Sequence, residues 1–249
     1  MNTNGTLFTQ KHAELCKKYG VDVSLSLDGS KDIHDSHRSN SFDDVMATVS
    51  YLNQEKIKYG LITVIDDLSF NQREELYNFF KKTGLSTKIN KADGYISHKK
   101  YTDFLIYLSK KLKEDNNPFR EYTLSDIENT INGKLSHCVG CAWSNCYRDF
   151  IAIDYGGNVA MCERFFGFSD DEKSKYLIGN VNEPNIINII YSEKYNNFQN
   201  TLSQRKFKCM SCHYYKYCGG GCAYDEIISG DVKEMCESRK HLFSNLIGG

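Results

Sequence analysis

Cysteine is the residue type in this sequence whose number and spacing could do chemistry. The chain has 10 cysteines in 249 residues, and all of them except Cys16 lie between Cys138 and Cys236. Cys16 is expected to be a small core residue of a helix. The N-terminus has no basic segment followed by an apolar stretch, so nothing there indicates secretion. Because cytosolic thiols stay reduced, the density favours metal ligation over disulfides, which remain the alternative.

The first cysteine group is Cys141-x4-Cys146-x15-Cys162. Two segments of alternating apolar residues flank Tyr155-Gly156-Gly157, a pattern that predicts a β-hairpin. Because a hairpin brings its two ends together, we expect Cys146 and Cys162 to be neighbours in space.

The second group is a tight run followed by one more distant cysteine: Cys209-x2-Cys212-x5-Cys218-x3-Cys222 and Cys236. Two cysteines spaced x2 can present both thiolates to one metal. Gly219-Gly220-Gly221 suits a backbone that must approach a bulky inorganic core. The eight cysteines of the two groups divide into two sets of four, as two 4Fe-4S clusters require. A zinc site on the first four of this run is the alternative, and it leaves the other four unexplained.

The first 95 residues alternate between strand and helix patterns. The predicted strands are Val21–Leu27, Leu61–Ile65 and Ser86–Asn90. The predicted helices are Thr9–Tyr19, a second helix that ends at Ile57, and Asn71–Lys82. The second helix is expected to have Ser41 as its N-cap and Asp44 as the acidic residue of a capping box. This order implies a parallel sheet. Three strands are few, and Asn4-Gly5-Thr6 resembles a turn after a strand, so we expect the back half of a larger α/β domain. A complete three-stranded layer is the alternative.

Composition excludes some classes of function. The chain has 31 Lys and Arg against 32 Asp and Glu, and this lack of basic excess argues against nucleic-acid binding. No apolar run approaches the roughly 20 residues that span a bilayer. We therefore expect a cytoplasmic protein with neither a nucleic-acid nor a membrane partner.

The cysteine pattern resembles the SPASM domain of radical S-adenosylmethionine (SAM) enzymes, which include anaerobic sulfatase-maturating enzymes and peptide maturases. Upstream, Asn4-Gly5-Thr6-Leu7, Ser26-Leu27-Asp28-Gly29 and His34-Asp35-Ser36-His37-Arg38 look like the middle strands of that family's half-barrel. The resemblance covers nearly the whole chain. It implies an α/β fold with three parts: a partial radical SAM half-barrel at 1–95, a helical connector at 96–137, and a SPASM domain with a β-hairpin and short helices at 138–249.

The resemblance also implies an interleaved set of cluster ligands. One 4Fe-4S cluster would take Cys141, Cys146, Cys162 and Cys222. The other cluster would take Cys209, Cys212, Cys218 and Cys236. Cys138 is an alternative to Cys141.

Three further residues match positions with roles in the family. Ser26 and Arg38 match positions that help to hold the amino-acid part of SAM; from the residues alone they are a strand residue and a surface base. Glu163 directly follows Cys162, where sulfatase-maturating relatives carry an aspartate that accepts the substrate's proton. A carboxylate at this place could act as a base, or it could cap a loop.

One family motif is missing from the sequence. The family cleaves SAM at a cluster held by Cys-x3-Cys-x2-Cys, and Cys138-x2-Cys141-x4-Cys146 is the nearest approach. We therefore expect no SAM cleavage by this chain alone, and SAM as a cofactor only when the missing N-terminal part is supplied.

The expected function is that of the C-terminal part of a radical SAM oxidoreductase that matures peptides or proteins. Its partners would be a peptide or protein substrate, or a polypeptide that supplies the missing barrel half. The alternative is a non-catalytic iron–sulfur module for electron transfer or partner binding.

Overall fold

A computed structural model describes residues 1–135, 146, 150–183, 187–229 and 232–248. The chain divides into two compact units, one of Met1–Glu128 with Ser244–Gly249 and the other of Asn129–Phe243. The first unit therefore extends beyond residue 95 and includes most of the segment that was predicted to be a connector. The three-part division at residues 95 and 137 stays a prediction.

The first unit is built on a four-stranded parallel sheet. Its strands, in hydrogen-bonded order, are β1 Asn2–Thr3, β2 Val23–Ser26, β3 Tyr59–Ile65 and β4 Thr87–Lys91. The helices that accompany it are α1 Gln10–Tyr19, α2 Lys31–His37, α3 Phe42–Gln54, α4 Asp67–Asn71, α5 Arg73–Thr83, α6 His98–Glu114 and α7 Tyr122–Ile131. The predicted parallel α/β layer is confirmed, and it has one more strand than predicted, the short β1 directly before Asn4-Gly5.

The start of α3 differs from the prediction. Ser41 precedes this helix, but its side chain makes no capping hydrogen bond and its backbone is not in the extended conformation typical of an N-cap. Its hydroxyl instead donates to the carbonyl oxygen of Arg38 at 2.7 Å. The expected capping box with Asp44 is therefore wrong, because Ser41 is used to close the turn between α2 and α3.

The carboxyl end of β2 is held by its pairing with β3. Leu25 lies opposite Leu61, and both side chains are buried. Because side chains alternate along a strand, Ser24 and Ser26 point to the other side of the sheet. Ser26 is the last residue of β2 and lies opposite Ile62 of β3.

Gly29 lies just after β2 in a backbone conformation that favours glycine. Its φ is +107°, and a Cβ there would lie 2.2 Å from Leu76 Cδ1. We expect Gly29→Ala to lower the free energy of unfolding by about 1–3 kcal/mol, because it adds both backbone strain and a clash in the core. Urea denaturation followed by circular dichroism measures the loss.

Gly84→Ala is the matched control. Gly84 also has a positive φ, +66°, but nothing lies within 4 Å of its Cβ position. It therefore carries the backbone cost without the clash, and an equal loss in the two variants would contradict the packing argument.

The second unit contains a three-stranded antiparallel sheet of β5 Ala152–Ile153, β6 Asn158–Ala160 and β7 Leu177–Asn180. The predicted hairpin is confirmed by the pairing of β5 with β6. Its turn is closed by Asp154, whose carboxylate accepts hydrogen bonds from the backbone N–H groups of Gly156 and Asn158 at 2.8 and 2.9 Å. The third strand, β7, was not predicted.

The other elements of this part of the chain are helices. They are a 3-10 helix Glu163–Gly167, α8 Asp170–Lys173, α9 Ile187–Ile190, α10 Glu193–Phe207, α11 Tyr215–Cys218, α12 Ala223–Ser229 and α13 Lys233–Gly248. The core that joins sheet and helices consists of Val159, Met161, Ile178, Ile189, Leu202 and Ala223. Among the helices of the described ranges, none is long and apolar enough to cross a membrane.

Candidate functional site

Four of the predicted ligand cysteines line one cavity of about 670 Å³ in the second unit: Cys209, Cys212, Cys218 and Cys236. The first two lie in the turns after α10, the third ends α11 and the fourth lies in α13. Folding therefore brings together the four residues that the family resemblance assigned to one cluster, although they come from three different parts of the unit.

The charges in this cavity bear on what it can hold. Burial raises the pKa of the Cys209 thiol, and the thiolates of Cys218 and Cys236 raise it further. Thiolates that line the same cavity repel one another unless a cationic centre lies between them. Since the thiolate is the form that binds metal, this donor set fits a four-thiolate iron–sulfur cluster. In the described part of the chain, no three His, Cys, Asp or Glu side chains lie close enough together to bind a single metal ion.

The other predicted ligand set is described in part. Cys222 is buried at the start of α12, and Arg164 Nη1 lies 3.4 Å from its Sγ. Arg164 follows Cys162 by two residues, so it connects the segments of two predicted ligands. Cys146 is half-buried. Cys141 and its alternative Cys138 lie outside the described residues, and the predicted proximity of Cys146 and Cys162 stays a prediction.

Arg164 is held in place by two further contacts. Its Nη2 lies 2.9 Å from Asp225 Oδ1, and its guanidinium lies 3.9 Å from the ring centre of Tyr224. Burial raises the pKa of the Cys222 thiol and the charge of Asp225 adds to the increase, whereas Arg164 opposes it. The guanidinium therefore favours the thiolate form of Cys222.

A buried lysine binds the loop Gly219–Gly221, which joins Cys218 of one predicted ligand set to Cys222 of the other. Lys206 is 4% exposed, and its Nζ donates to the carbonyl oxygens of Gly219 and Gly221 at 3.0 and 3.2 Å. Burial lowers the pKa of Lys206. The thiolates that oppose this decrease are those of Cys146, Cys218 and Cys222. Lys206 thus experiences the charge of cysteines from both predicted sets.

A buried arginine, Arg239, also lies against the loop Gly219–Gly221. Arg239 is 5% exposed, and its Nη1 lies 3.6 Å from Cys218 Sγ. It follows Cys236 by three residues in α13, a spacing that places both on one helix face. That spacing could have indicated Arg239 from the sequence, whereas no spacing rule pointed to Lys206 or Arg164.

Two further predicted site residues, Ser26 and Arg38, lie at the carboxyl edge of the parallel sheet in the first unit. Ser26 ends β2, and Arg38 follows α2, where its Nε donates to Asp28 Oδ2 at 2.5 Å. Asp28 is 1% exposed, and its other carboxylate oxygen accepts from the Val64 N–H at 2.8 Å. Asp28, which the sequence reasoning did not single out, therefore anchors Arg38 to the sheet.

Two histidines extend the network around Asp28. The backbone N–H of Asp28 donates to His34 Nδ1 at 3.2 Å, and His34 Nε2 lies 3.1 Å from Ser41 Oγ. Burial lowers the pKa of His34, which favours the neutral ring that this arrangement requires. His37 Nε2 lies 3.1 Å from Asp66 Oδ2. The loops after β2 and β3 are thus joined by polar contacts at the edge where parallel sheets bind ligands.

Glu163 is the first residue of the 3-10 helix, directly after Cys162, and its side chain is exposed. The structure therefore leaves this carboxylate accessible beside a predicted ligand. Its role as a base stays a prediction.

Two family models match separate parts of the chain. Residues 1–80 match the radical SAM superfamily, and residues 141–213 match SPASM, an iron–sulfur cluster-binding domain. The first match covers strands β1 to β3 and most of α5. The second match covers the hairpin and five of the eight predicted ligand cysteines, from Cys141 to Cys212.

Several known proteins resemble the chain over nearly its full length. It is 26% identical to a cysteine-type anaerobic sulfatase-maturating enzyme of Clostridium novyi (strain NT), over 99% of this chain and 70% of that protein. The structure of native anSMEcpe with bound AdoMet matches with a TM-score of 0.80 at 21% identity, over 99% of this chain and 73% of the other. The structure of native anSMEcpe with bound AdoMet and Kp18Cys peptide gives 0.75 at 21% identity, over 99% and 74%. The predicted resemblance to radical SAM proteins with a SPASM domain is confirmed.

Proposed function

We propose that this radical SAM and SPASM chain binds two auxiliary 4Fe-4S clusters as the C-terminal part of a maturase that modifies peptides or proteins. The observation that carries the proposal is the convergence of four thiols on one cavity, those of Cys209, Cys212, Cys218 and Cys236. The second cluster takes the remaining set, Cys141, Cys146, Cys162 and Cys222. When bound, such clusters supply one-electron transfer.

The chain's own residues bind and orient the other reactants. Ser26 and Arg38 hold the amino-acid part of SAM, and Asp28 positions Arg38 through its Nε. The exposed carboxylate of Glu163 accepts a proton from the substrate. Sulfatase-maturating relatives, and the peptide in one solved neighbour, support a peptide or protein as the substrate.

The 249 residues lack Cys-x3-Cys-x2-Cys, and we propose that they do not cleave SAM alone. A polypeptide that carries this motif and the remaining barrel strands would be the partner, in the reducing cytoplasm. The same lack of the motif is the observation that favours the second candidate, a stand-alone iron–sulfur module for electron transfer.

The first test is iron and acid-labile sulfide analysis of the anaerobically reconstituted chain. We expect about eight irons and about eight sulfides per chain, since each cluster holds four of each. A colourless protein with a single zinc and no sulfide would contradict the proposal.

The two candidate functions are separated by an assay for 5′-deoxyadenosine. The reconstituted chain alone should form none from SAM under reducing conditions. Formation after addition of a polypeptide that contains Cys-x3-Cys-x2-Cys and the missing strands supports the maturase. Its continued absence, with both clusters present, favours the electron-transfer module.

A further inference from the structure

The glycine loop Gly219–Gly221 runs from Cys218, a member of one proposed ligand set, to Cys222, a member of the other. Two buried cations lie against this loop, Lys206 and Arg239. The aliphatic part of Lys206 packs so closely on Gly220 that a Cβ there would lie 3.2 Å from it. The two cations thus contact the loop that joins a residue of one ligand set to a residue of the other.

Each cation acts on thiol groups of both sets. Arg239 Nη1 lies 3.6 Å from Cys218 Sγ, and the guanidinium also interacts electrostatically with Cys222. Lys206 Nζ donates to the carbonyl oxygens of Gly219, which follows Cys218, and Gly221, which precedes Cys222. The charges of these cysteines counter the effect of burial on the pKa of Lys206. A guanidinium keeps its charge in any protein environment, so Arg239 supplies a permanent positive charge at this place.

Positive charge at such a position affects the electron affinity of a cluster. One-electron reduction adds one negative charge to a centre that four thiolates already make anionic. A cation that is almost completely buried is screened little by water, so it stabilises the reduced form more than the oxidised form. Hydrogen bonds to the cysteine sulfurs act in the same direction.

We propose that Arg239 and Lys206 form a cationic junction between the two cysteine sets, and that this junction raises the reduction potentials of both clusters. The inference rests on the proposed function, because it requires that the two sets bind clusters. According to this proposal, Arg239 and Lys206 control how readily the two clusters accept an electron.

The experiment compares the midpoint potentials of four forms of the full chain: wild type, Arg239→Gln, Arg239→Lys and Lys233→Gln. Each is reconstituted anaerobically and titrated with dithionite while electron paramagnetic resonance follows the reduced clusters. We expect a more negative midpoint potential for Arg239→Gln than for wild type. Arg239→Lys should recover most of the difference, because it keeps the charge.

Lys233→Gln is the matched control. Lys233 begins α13 and its side chain is exposed, but it is not among the residues that line the cavity. Water and salt screen its charge, so its removal should leave the midpoint potential close to that of wild type.

A second pair of variants, Lys206→Gln and Lys206→Arg, repeats the comparison at the other cation. Lys206→Gln should lower the midpoint potentials and Lys206→Arg should lower them less. Unchanged midpoints in both neutral variants overturn the proposal. It is also overturned if both neutral variants lose iron while the remaining clusters keep the wild-type potential, because the cations would then only support the fold.

Failure of the proposed function gives a different result. In that case the wild-type chain itself contains no iron and sulfide after reconstitution. A wild-type chain with both clusters, but with potentials that do not depend on these cations, contradicts only the junction.

Discussion

Substitution of two cysteines in one proposed set is expected to remove one cluster. Substitution of one cysteine in each set is expected to remove both clusters. The variant Cys209→Ala/Cys236→Ala should keep about four irons per chain, because the set with Cys222 is intact. The variant Cys222→Ala/Cys236→Ala should keep far fewer, because each set then has only three thiolates. Iron and sulfide analysis after anaerobic reconstitution measures both.

The pair of double variants distinguishes an interleaved assignment from a sequential one. If Cys209, Cys212, Cys218 and Cys222 formed one site, Cys222→Ala/Cys236→Ala would damage the two sites in the same way as Cys209→Ala/Cys236→Ala. Equal iron contents in the two variants would therefore contradict interleaving.

Cys16→Ala is the control for loss of a thiol as such. Cys16 is buried in α1 of the first unit, away from the cavity-lining segments in sequence. Its removal should leave the iron content unchanged while lowering stability slightly through the lost packing.

The stability of the first unit should decrease between about pH 4.5 and about pH 7 because of Glu121. This residue is 1% exposed, and its carboxyl oxygens accept from the Ile89 N–H of β4 at 2.9 Å and the Leu124 N–H of α7 at 2.6 Å. Burial raises the pKa of Glu121 to about 7, from an ordinary value of 4.5. The folded chain therefore keeps this proton to a higher pH than the unfolded chain.

The sign and size of the effect follow from proton linkage. The contribution of Glu121 is complete below pH 4.5 and is lost as the pH rises to about 7, because the unfolded carboxyl then ionises more readily than the folded one. The total loss is about 3 kcal/mol. Hydrogen-exchange mass spectrometry of the peptides that contain β4 and α7, with intrinsic rates corrected for pH, measures it.

Glu121→Gln is the control, since an amide does not titrate. Burial lowers the pKa of His34, and this makes folding more favourable as the pH rises, opposite to Glu121. His34 is present in both proteins, so the difference between wild type and Glu121→Gln isolates Glu121. Parallel pH profiles of the two proteins would contradict the assigned pKa.

Local patterns predicted the elements whose formation depends on neighbouring residues. The strand at Leu61–Ile65 is a continuous apolar run, and it lies within β3. The hairpin at Tyr155-Gly156-Gly157 combines two alternating segments with a turn sequence, and β5 pairs with β6 around it. The helix before Gly84 ends where a glycine in the left-handed conformation closes it.

Patterns that depend on distant residues were missed or misread. In strand β7, Gly179 lies opposite Val159 and packs closely on Ile189, and no local pattern in the sequence shows these contacts. Ser41 has the residue type of an N-cap, but the turn that returns from Arg38 uses its hydroxyl. Glu121 is a surface residue type in the sequence and becomes buried because it accepts from both β4 and α7.

The sequence by itself determined the class of chemistry. Cysteine number and spacing are local properties, and together with the glycines they indicated two sets of four thiolates and a SPASM domain. Tertiary structure decided which side chains surround those thiolates. Three cations lie near cysteines from which they are distant in sequence: Arg164 near Cys222, Arg239 near Cys218, and Lys206 near the loop between these two cysteines. Charge acts through space, not along the chain. The fold places the two arginines beside Cys222 and Cys218, and it buries Lys206 against the loop that joins these two cysteines.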